Sequence, residues 1–408
     1  MNFGGPGGSG TEAMRASGGI IAAWLPEVAD RFDLVLFDPR GIAESAPIDC
    51  VDDDFMHQLH SLDVVPDDDA EFEALFAWET DLGLGCEARS ADLVPHVDTE
   101  SVARDMDRIR AALGEERANY YGLSYGSVLG ATYATLFPDR VGAFVLDSVF
   151  PSPTNLVDSA ESMVGTHVVE FERFLEYGGL HGRYAFHGGE GTAAVGDAYD
   201  ALLASVADAT IPAGASELGE TDLRLGAETL LNAGDWDGLD QALADAEAGD
   251  GSALLAAADP PLAPGQHWTG GFEAGMTVRL LDDGCPADFD LAAARTFLER
   301  MAVLGPRVGG AGFAAALCAT WGLARPSPKT PLDASASPPM LILQGENDPQ
   351  TPIAGLPAFL DELGNDSYVV TWRGNGHMVA FRNACTAGAM SDFLLDPTRP
   401  PRNDTCSQ

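Results

Sequence analysis

Two hydrophobic rhythms divide the chain. Short unbroken apolar runs alternate with amphipathic stretches before about residue 150 and after residue 338, and alanine- and leucine-rich stretches fill the interval. RFDLVLFDPRG reads as a buried strand over 33–37, ended by Pro39 and Gly41. Residues 51–98 are acidic and loop-rich, with one short helical candidate, DAEFEALFAWE. TESVARDMDRIRAALG predicts a firmer helix, in which Val102, Met106 and Ile109 recur at helical spacing, Thr99 can cap the start and Gly114 closes the end. ANYYGLS then reads as a strand, YGSVLGATYATLFP as a helix stopped by Pro138, and VGAFVLDSVF as a further strand. Such alternation predicts an α/β fold with a mostly parallel sheet covered by helices on both sides.

From 151 to 330 the pattern becomes helical, with candidates at 159–177, 195–207 and 287–303 joined by Gly-, Asp- and Pro-rich connections. RPSPKTPLDASASPP, 325–339, reads as a stiff, exposed linker back. MLILQGENDP and SYVVTWRGNGHM resume the sheet, and a last helix is expected to start near 383. The expected division is a first core part over 1–150, a large helical lid insertion over 151–330 and a second core part over 331–408.

Charge narrows the partners. The 408 residues carry 63 acidic and 22 basic side chains, a net charge of −41, and Lys329 is the only lysine. Phosphate backbones and anionic lipid would be repelled, which argues against nucleic-acid binding. A surface this acidic points to a high-salt habitat, where counterions screen the repulsion. Thermal stability is therefore expected to climb steeply with added salt, and a melting temperature indifferent to salt would remove this reading. No run of about 20 apolar residues is present to span a membrane.

Six cysteines, Cys50, Cys86, Cys285, Cys318, Cys385 and Cys406, include no CxxC pair, which weakens a zinc or thioredoxin-like reading. An even number in loop-like contexts permits three disulfides, and disulfides persist mainly outside the cytosol. The opening MNFGGPGGSG shows neither a basic start nor an apolar core of a signal peptide. These two signals disagree; the expectation is a secreted or cell-envelope protein, and one resolution is a start site upstream of Met1.

Candidate chemistry centres on Gly122-Leu123-Ser124-Tyr125-Gly126, a G-x-S-x-G sequence placed where strand gives way to helix. A serine at that turn is exposed on a strained backbone, small neighbours avoid collisions, and the following helix aims its first N–H groups at the reaction centre. A hydroxyl nucleophile needs a base, and the base needs an orienting acid. Among eight histidines, His57, His60 and His96 precede the turn in the acidic segment, and His167, His181, His187 and His267 fall in the insertion. His377 alone follows a late strand, in the glycine-flanked loop GNGHMV. LILQGENDPQTP offers Glu346 and Asp348 as the acid; Asp348 is preferred because it lies further beyond the strand and Pro349 restrains the chain after it. The order Ser124, Asp348, His377 is that of α/β-hydrolases. FGGPGGSG could present unobstructed N–H groups near the first strand, so the expected oxyanion donors are the backbone N–H groups of Gly5 and Tyr125. No clear strand precedes these glycines in the given sequence, which argues against a dinucleotide site.

Together NFGGPGGSG, LFDPRGIAESAP, GLSYGS, QGENDPQTP and GNGH resemble secreted α/β-hydrolases of the tripeptidyl aminopeptidase and proline iminopeptidase group, in particular the actinobacterial tripeptidyl-aminopeptidase type with its characteristic C-terminal region. The resemblance implies a helical lid, removal of short peptides or single residues from free N-termini, a triad of Ser124, Asp348 and His377, and a contribution of the early glycine-proline run to the oxyanion site. It also implies disulfides Cys50–Cys86, Cys285–Cys318 and Cys385–Cys406. The chain departs from the family's usual NPGGPGG at Phe3, and from the glycine common at the position of Ala43, where an altered turn is expected. Arg40 is expected to brace that loop.

A triad attacks esters as readily as amides. The leading expectation is a serine exopeptidase acting through an acyl-enzyme; the alternatives are a carboxylesterase for small acyl esters and, from a different class, an inactive hydrolase fold kept for binding. No metal or organic cofactor is expected, the partner is a peptide or small ester, and the oligomeric state is left open. An aminopeptidase needs a carboxylate to meet the substrate's cationic N-terminus, and Glu273 is the candidate. Trp236, Trp268 and Trp321 are candidate pocket aromatics.

Overall fold

The computed structural model describes residues 1–153, 155–181, 184–186, 191–258, 270–323 and 329–407. His187, His267, Trp268 and the first residues of the predicted linker lie outside them.

Five parallel strands form the main sheet in the order β1 (Ala118–Leu123), β2 (Val141–Asp147), β5 (Leu341–Asn347), β6 (Tyr368–Asn375) and β7 (Thr405–Ser407). A short hairpin, β3 (Ile211–Ala213) with β4 (Ser216–Leu218), stands apart from it. Consecutive residues of the inner strands face opposite helical layers. Tyr121, Val145, Leu343 and Val370 pack against Met390 and Phe393 on one side. Tyr120, Phe144 and Ile342 pack against Leu129, Tyr133 and Phe359 on the other. Burial of both faces is why these strands read as continuous apolar runs.

The register places Leu123 beside Asp147 and Asp147 beside Leu343, so β1, β2 and β5 end at one edge of the sheet. Beyond β1, Asn2 bridges Gly122, with Asn2 N–H donating to Tyr121 O and Leu123 N–H to Asn2 O, both at 3.0 Å. Residues 33–37, expected as a buried strand, form no strand of the ladder and are only partly covered. A bond from the Met1 amino group to Val35 O ties them to the neighbouring segment. Apolar content there did not bring pairing or burial.

The acidic segment is more helical than its composition predicts. A helix runs over Asp69–Ser90, opened by an Asp68/Glu71 capping box, and continues through Gly83 and Gly85. Gly83 lies where a Cβ would come within 2.7 Å of the Trp321 ring, so close packing, and not chain reversal, explains it. Leu75, Trp78 and Leu82 share one apolar cluster with Leu281, Phe297, Phe313 and Leu317. The helix Thr99–Ala112 is capped by Asp98, whose side chain accepts from Ser101 N–H, not by Thr99. The Thr99 hydroxyl instead meets Tyr125 Oη at 3.0 Å.

Between β2 and β5 the chain builds helices Leu156–His181, Thr192–Asp208, Glu220–Ala233, Trp236–Glu247, Gly271–Asp282 and Leu291–Leu304, with an apolar centre of Phe171, Phe174, Tyr199, Leu231 and Leu243. Disulfides join Cys50 to Cys86, Cys285 to Cys318 and Cys385 to Cys406, the pairs implied by the resemblance. The last ties the terminal strand to the helix Ala384–Leu395. Closing loops in this way lowers the entropy of the unfolded chain. Among the described residues no helix is long and apolar enough to cross a membrane.

Candidate active site

Ser124 stands between β1 and the helix Tyr125–Leu136 with φ 56° and ψ −124°, a left-handed backbone costly for a residue with a Cβ. The site tolerates only small neighbours: a Cβ on Gly122 would collide with Gly126 O, and one on Gly126 would sit 2.5 Å from Asn2 O. The strain is held by Ser124 N–H donating to Asp147 O at 2.9 Å, and by Ser127 N–H and hydroxyl donating to Ser124 O at 2.8 and 2.6 Å.

His377 follows β6, and its Nδ1 lies 3.0 Å from both oxygens of Asp348. That carboxylate, 3% exposed, also accepts Gln350 N–H, Thr351 N–H and the Thr351 hydroxyl at 3.0, 2.9 and 2.7 Å. Burial alone would raise the Asp348 carboxyl; the positive charge and hydrogen bond of His377 and the Thr351 donors outweigh it and hold it below the ordinary value. An ionised Asp348 fixes the proton on Nδ1 and leaves Nε2 as an acceptor. Nε2 is buried without a hydrogen-bond partner among the described residues. Glu346 points elsewhere, pairing with Arg373 at 3.3 Å on the surface.

The glycine loop lies against the turn. A Cβ on Gly4 would come 2.8 Å from Tyr125 N and 3.1 Å from Ser124 Cβ, and Gly4 has φ +80°. Gly4 N–H is committed to Asn2 Oδ1 at 2.9 Å, and Gly5 N–H is the next donor along the loop. Tyr125 N–H opens a helix, where the first N–H groups lack intrahelical acceptors. Asp38, from the DPRG stretch, anchors the far end of the loop by accepting from the Ser9 hydroxyl at 2.7 Å and from Thr11 N–H and hydroxyl at 3.0 and 2.8 Å. Arg40 braces its own segment through two bonds to Asp105, at 2.7 and 2.8 Å, and one to His96 O. Ala43 takes φ 42°, the backbone that a glycine would accept more easily.

Glu273 is buried in the first turn of Gly271–Asp282, a helix that starts against Pro6 and Gly7. The cavity it lines is walled by Thr11, Arg15, Glu44, Asp49 and Gly270, and neither Ser124 nor His377 borders it. Trp321 packs against the helix Asp69–Ser90. Trp236 donates Nε1–H to Glu170 at 3.2 Å.

Glu170 is a group that sequence reasoning missed. It is fully buried on Leu156–His181 and accepts from Arg173 Nη1 at 3.2 Å. Burial raises its carboxyl, Arg173 and Trp236 lower it, and the charge of Asp348 adds to the rise. Asn232 was also missed: its carbonyl accepts His377 N–H at 2.8 Å. Neither carries a motif, so only its place in the fold distinguishes it. Among the described residues no cluster of His, Cys, Asp and Glu could hold a metal ion.

A parallel sheet whose strand ends carry a strained serine, a buried acid and a histidine loop defines an α/β-hydrolase, and residues 4–181 match the family model described as the alpha/beta hydrolase fold. Residues 307–406 match the TAP-like protein model. Over its whole length the chain is 32% identical to a tripeptidyl aminopeptidase of Streptomyces lividans, covering 76% of that protein. It is 27% identical to the serine protease Hip1 of Mycobacterium tuberculosis, covering 80%, and 29% identical to a protein of that organism named carboxylesterase B, covering 79%, again over its full length. The chain belongs to the tripeptidyl-aminopeptidase family of α/β-hydrolases.

Proposed function

We propose that the protein is a serine exopeptidase that releases tripeptides, other short peptides or single residues from free peptide N-termini. The strained Ser124 at the turn, with a His377 whose Nδ1 is held by a buried, ionised Asp348, supports serine hydrolase chemistry, and the 32% identity to a tripeptidyl aminopeptidase is the observation that favours peptides over esters. Nε2 takes the proton of Ser124 as Oγ attacks the scissile carbonyl carbon. The carbonyl oxygen becomes an oxyanion facing Gly5 and Tyr125 N–H. Collapse breaks the C–N bond, and the departing amine takes the proton from the imidazolium. Water then gives a proton to Nε2 and attacks the acyl-enzyme; the released Oγ recovers that proton and the short peptide leaves as an acid. In apo hydrolases the Oγ–Nε2 bond is commonly loose and tightens with substrate.

Residues 151–330 act as the lid over this centre. The cationic N-terminus of the substrate calls for a lid carboxylate. Glu170, buried on the helix Leu156–His181, and Glu273, seated against the glycine loop, are the two candidates. Three disulfides support an extracellular or cell-envelope location. The second reading, a carboxylesterase for small acyl esters, draws on the relative named carboxylesterase B.

Steady-state kinetics on tripeptidyl anilides, the same anilides acetylated at the N-terminus, and p-nitrophenyl esters decide between the two. Turnover of the free anilide is expected to dominate and to vanish on acetylation. Undiminished cleavage of the blocked substrate would overturn the exopeptidase reading. Glu170→Gln and Glu273→Gln identify the recognising carboxylate by which of them raises KM on the free anilide alone.

A further inference from the structure

The histidine loop has a distance to cover. It leaves β6, and two strands, β2 and β5, separate β6 from β1, which Ser124 directly follows. The loop crosses back over β5, and the residue that receives it is Asp147, the last of β2 and wholly buried.

Val379 N–H donates to the two oxygens of Asp147 at 2.9 and 3.1 Å, and Ala380 N–H donates to Oδ2 at 2.8 Å. The Tyr121 hydroxyl donates to Oδ2 at 2.8 Å. The adjacent Ser148 hydroxyl donates to Oδ1 at 3.2 Å and accepts Met378 N–H at 3.1 Å. Three consecutive N–H groups after His377 are therefore received at the end of β2. The backbone carbonyl of the same Asp147 accepts Ser124 N–H. One residue thus grips the serine turn through its main chain and the histidine loop through its side chain.

A buried carboxylate is an expensive anchor if anchoring is all it does, because removing a charge from water costs several kcal/mol. Burial leads and raises the Asp147 carboxyl overall, and the donors from Ala380, Tyr121 and Val379, together with the charge of His377, offset part of that rise. Asp147 is thus electrostatically coupled to the imidazole as well as bonded to its loop. The other charged groups around the ring are Asp348 at Nδ1, Arg382, whose guanidinium donates to the carbonyls of His377 and Met378, and, from the helical insertion, Glu170 near Asp348.

We propose that Asp147 is a positioning residue for the peptidase reaction: it clamps the His377 loop to the Ser124 turn and supplies a second buried negative charge that stabilises the imidazolium formed when Ser124 gives up its proton. The inference rests on the roles given to Ser124 and His377 under Proposed function.

The test compares Asp147→Asn with Ser124→Ala and His377→Ala in the full chain, on a tripeptidyl anilide, across the pH range in which imidazole titrates. Asp147→Asn keeps the shape and removes the charge. It is expected to lower kcat by about 10- to 100-fold, the scale on which small displacements of catalytic groups act, with KM little changed. The acid limb of its kcat/KM profile is expected to move to lower pH, because a cation that loses a neighbouring anion gives up its proton more readily. A role confined to packing would leave that limb in place. If Ser124→Ala and His377→Ala are inactive while Asp147→Asn retains kcat within about twofold and an unmoved limb, the Asp147 inference fails and the triad reading stands. If Ser124→Ala remains active, the triad reading fails and the inference with it. Should Asp147→Asn not fold, Ser148→Ala removes the acceptor of Met378 N–H and decides the matter: a fall in kcat of about fivefold at constant KM supports the clamp, and an unchanged kcat overturns it.

Discussion

Replacing Ser124 with alanine is expected to lower kcat on a tripeptidyl anilide by at least about a thousandfold, with KM little affected. Alanine keeps the Cβ and the left-handed backbone at 124, and the bond from its N–H to Asp147 O is a main-chain bond that survives. The sheet, the glycine loop and the insertion should fold as before, so a matched thermal melt separates chemistry from stability. What disappears is the one oxygen that the turn between β1 and the following helix holds up to solvent. The residual rate would reflect water attacking a carbonyl already facing the N–H groups of Gly5 and Tyr125. Turnover within tenfold of the parent, on purified protein free of contaminating peptidase, would remove Ser124 as the nucleophile.

Asp348→Asn is expected to cost about ten-thousandfold in kcat, again with little change in KM. The surrounding donors dictate how the new amide sits. Gln350 N–H and Thr351 N–H both point at Oδ1, so the amide oxygen is held there and the NH2 group takes the place of Oδ2. Nδ1 lies 3.0 Å from each position, so it then faces an N–H donor beside the retained oxygen, and a tautomer in which Nδ1 accepts becomes available. The ring proton moves to Nε2, which can no longer receive the proton of Ser124. Fluorophosphonate labelling of Ser124 should slow in parallel, while the melting temperature reports whether the loop stays folded. A loss smaller than about tenfold would mean that Asp348 does not orient the base.

The serine turn was legible because three constraints coincide in a few residues: an apolar strand, small flanking residues and an apolar helix stopped by Pro138. Asp348 could be preferred over Glu346 from position alone, since a residue further past the strand can turn inward, as it does, whereas Glu346 meets Arg373 at the surface. Elsewhere local pattern was overridden by distant partners. Gly83 and Gly85 look like breakers, yet their helix continues because Trp321 and the Cys50 backbone need the space that side chains would fill. Residues 33–37 have the composition of a central strand, but pairing depends on neighbours that composition does not specify. Thr99 and Asp98 are both good caps, and tertiary contacts chose between them by engaging the Thr99 hydroxyl with Tyr125. Asp147 and Glu170 were invisible for another reason: an acid at a strand end or within a helix is ordinary, and only the meeting of segments about 230 residues apart in sequence makes Asp147 unusual.

The helix Glu220–Ala233 ends on the base's own backbone. Asn232 O accepts His377 N–H, Ala233 O accepts from Arg382, and Gly234 packs on Asn375. A minimal enzyme made by deleting the insertion would retain every triad side chain yet lose the shelf on which its imidazole rests. The part of the insertion that meets the His377 loop belongs to the support of that loop as much as to the helical layer.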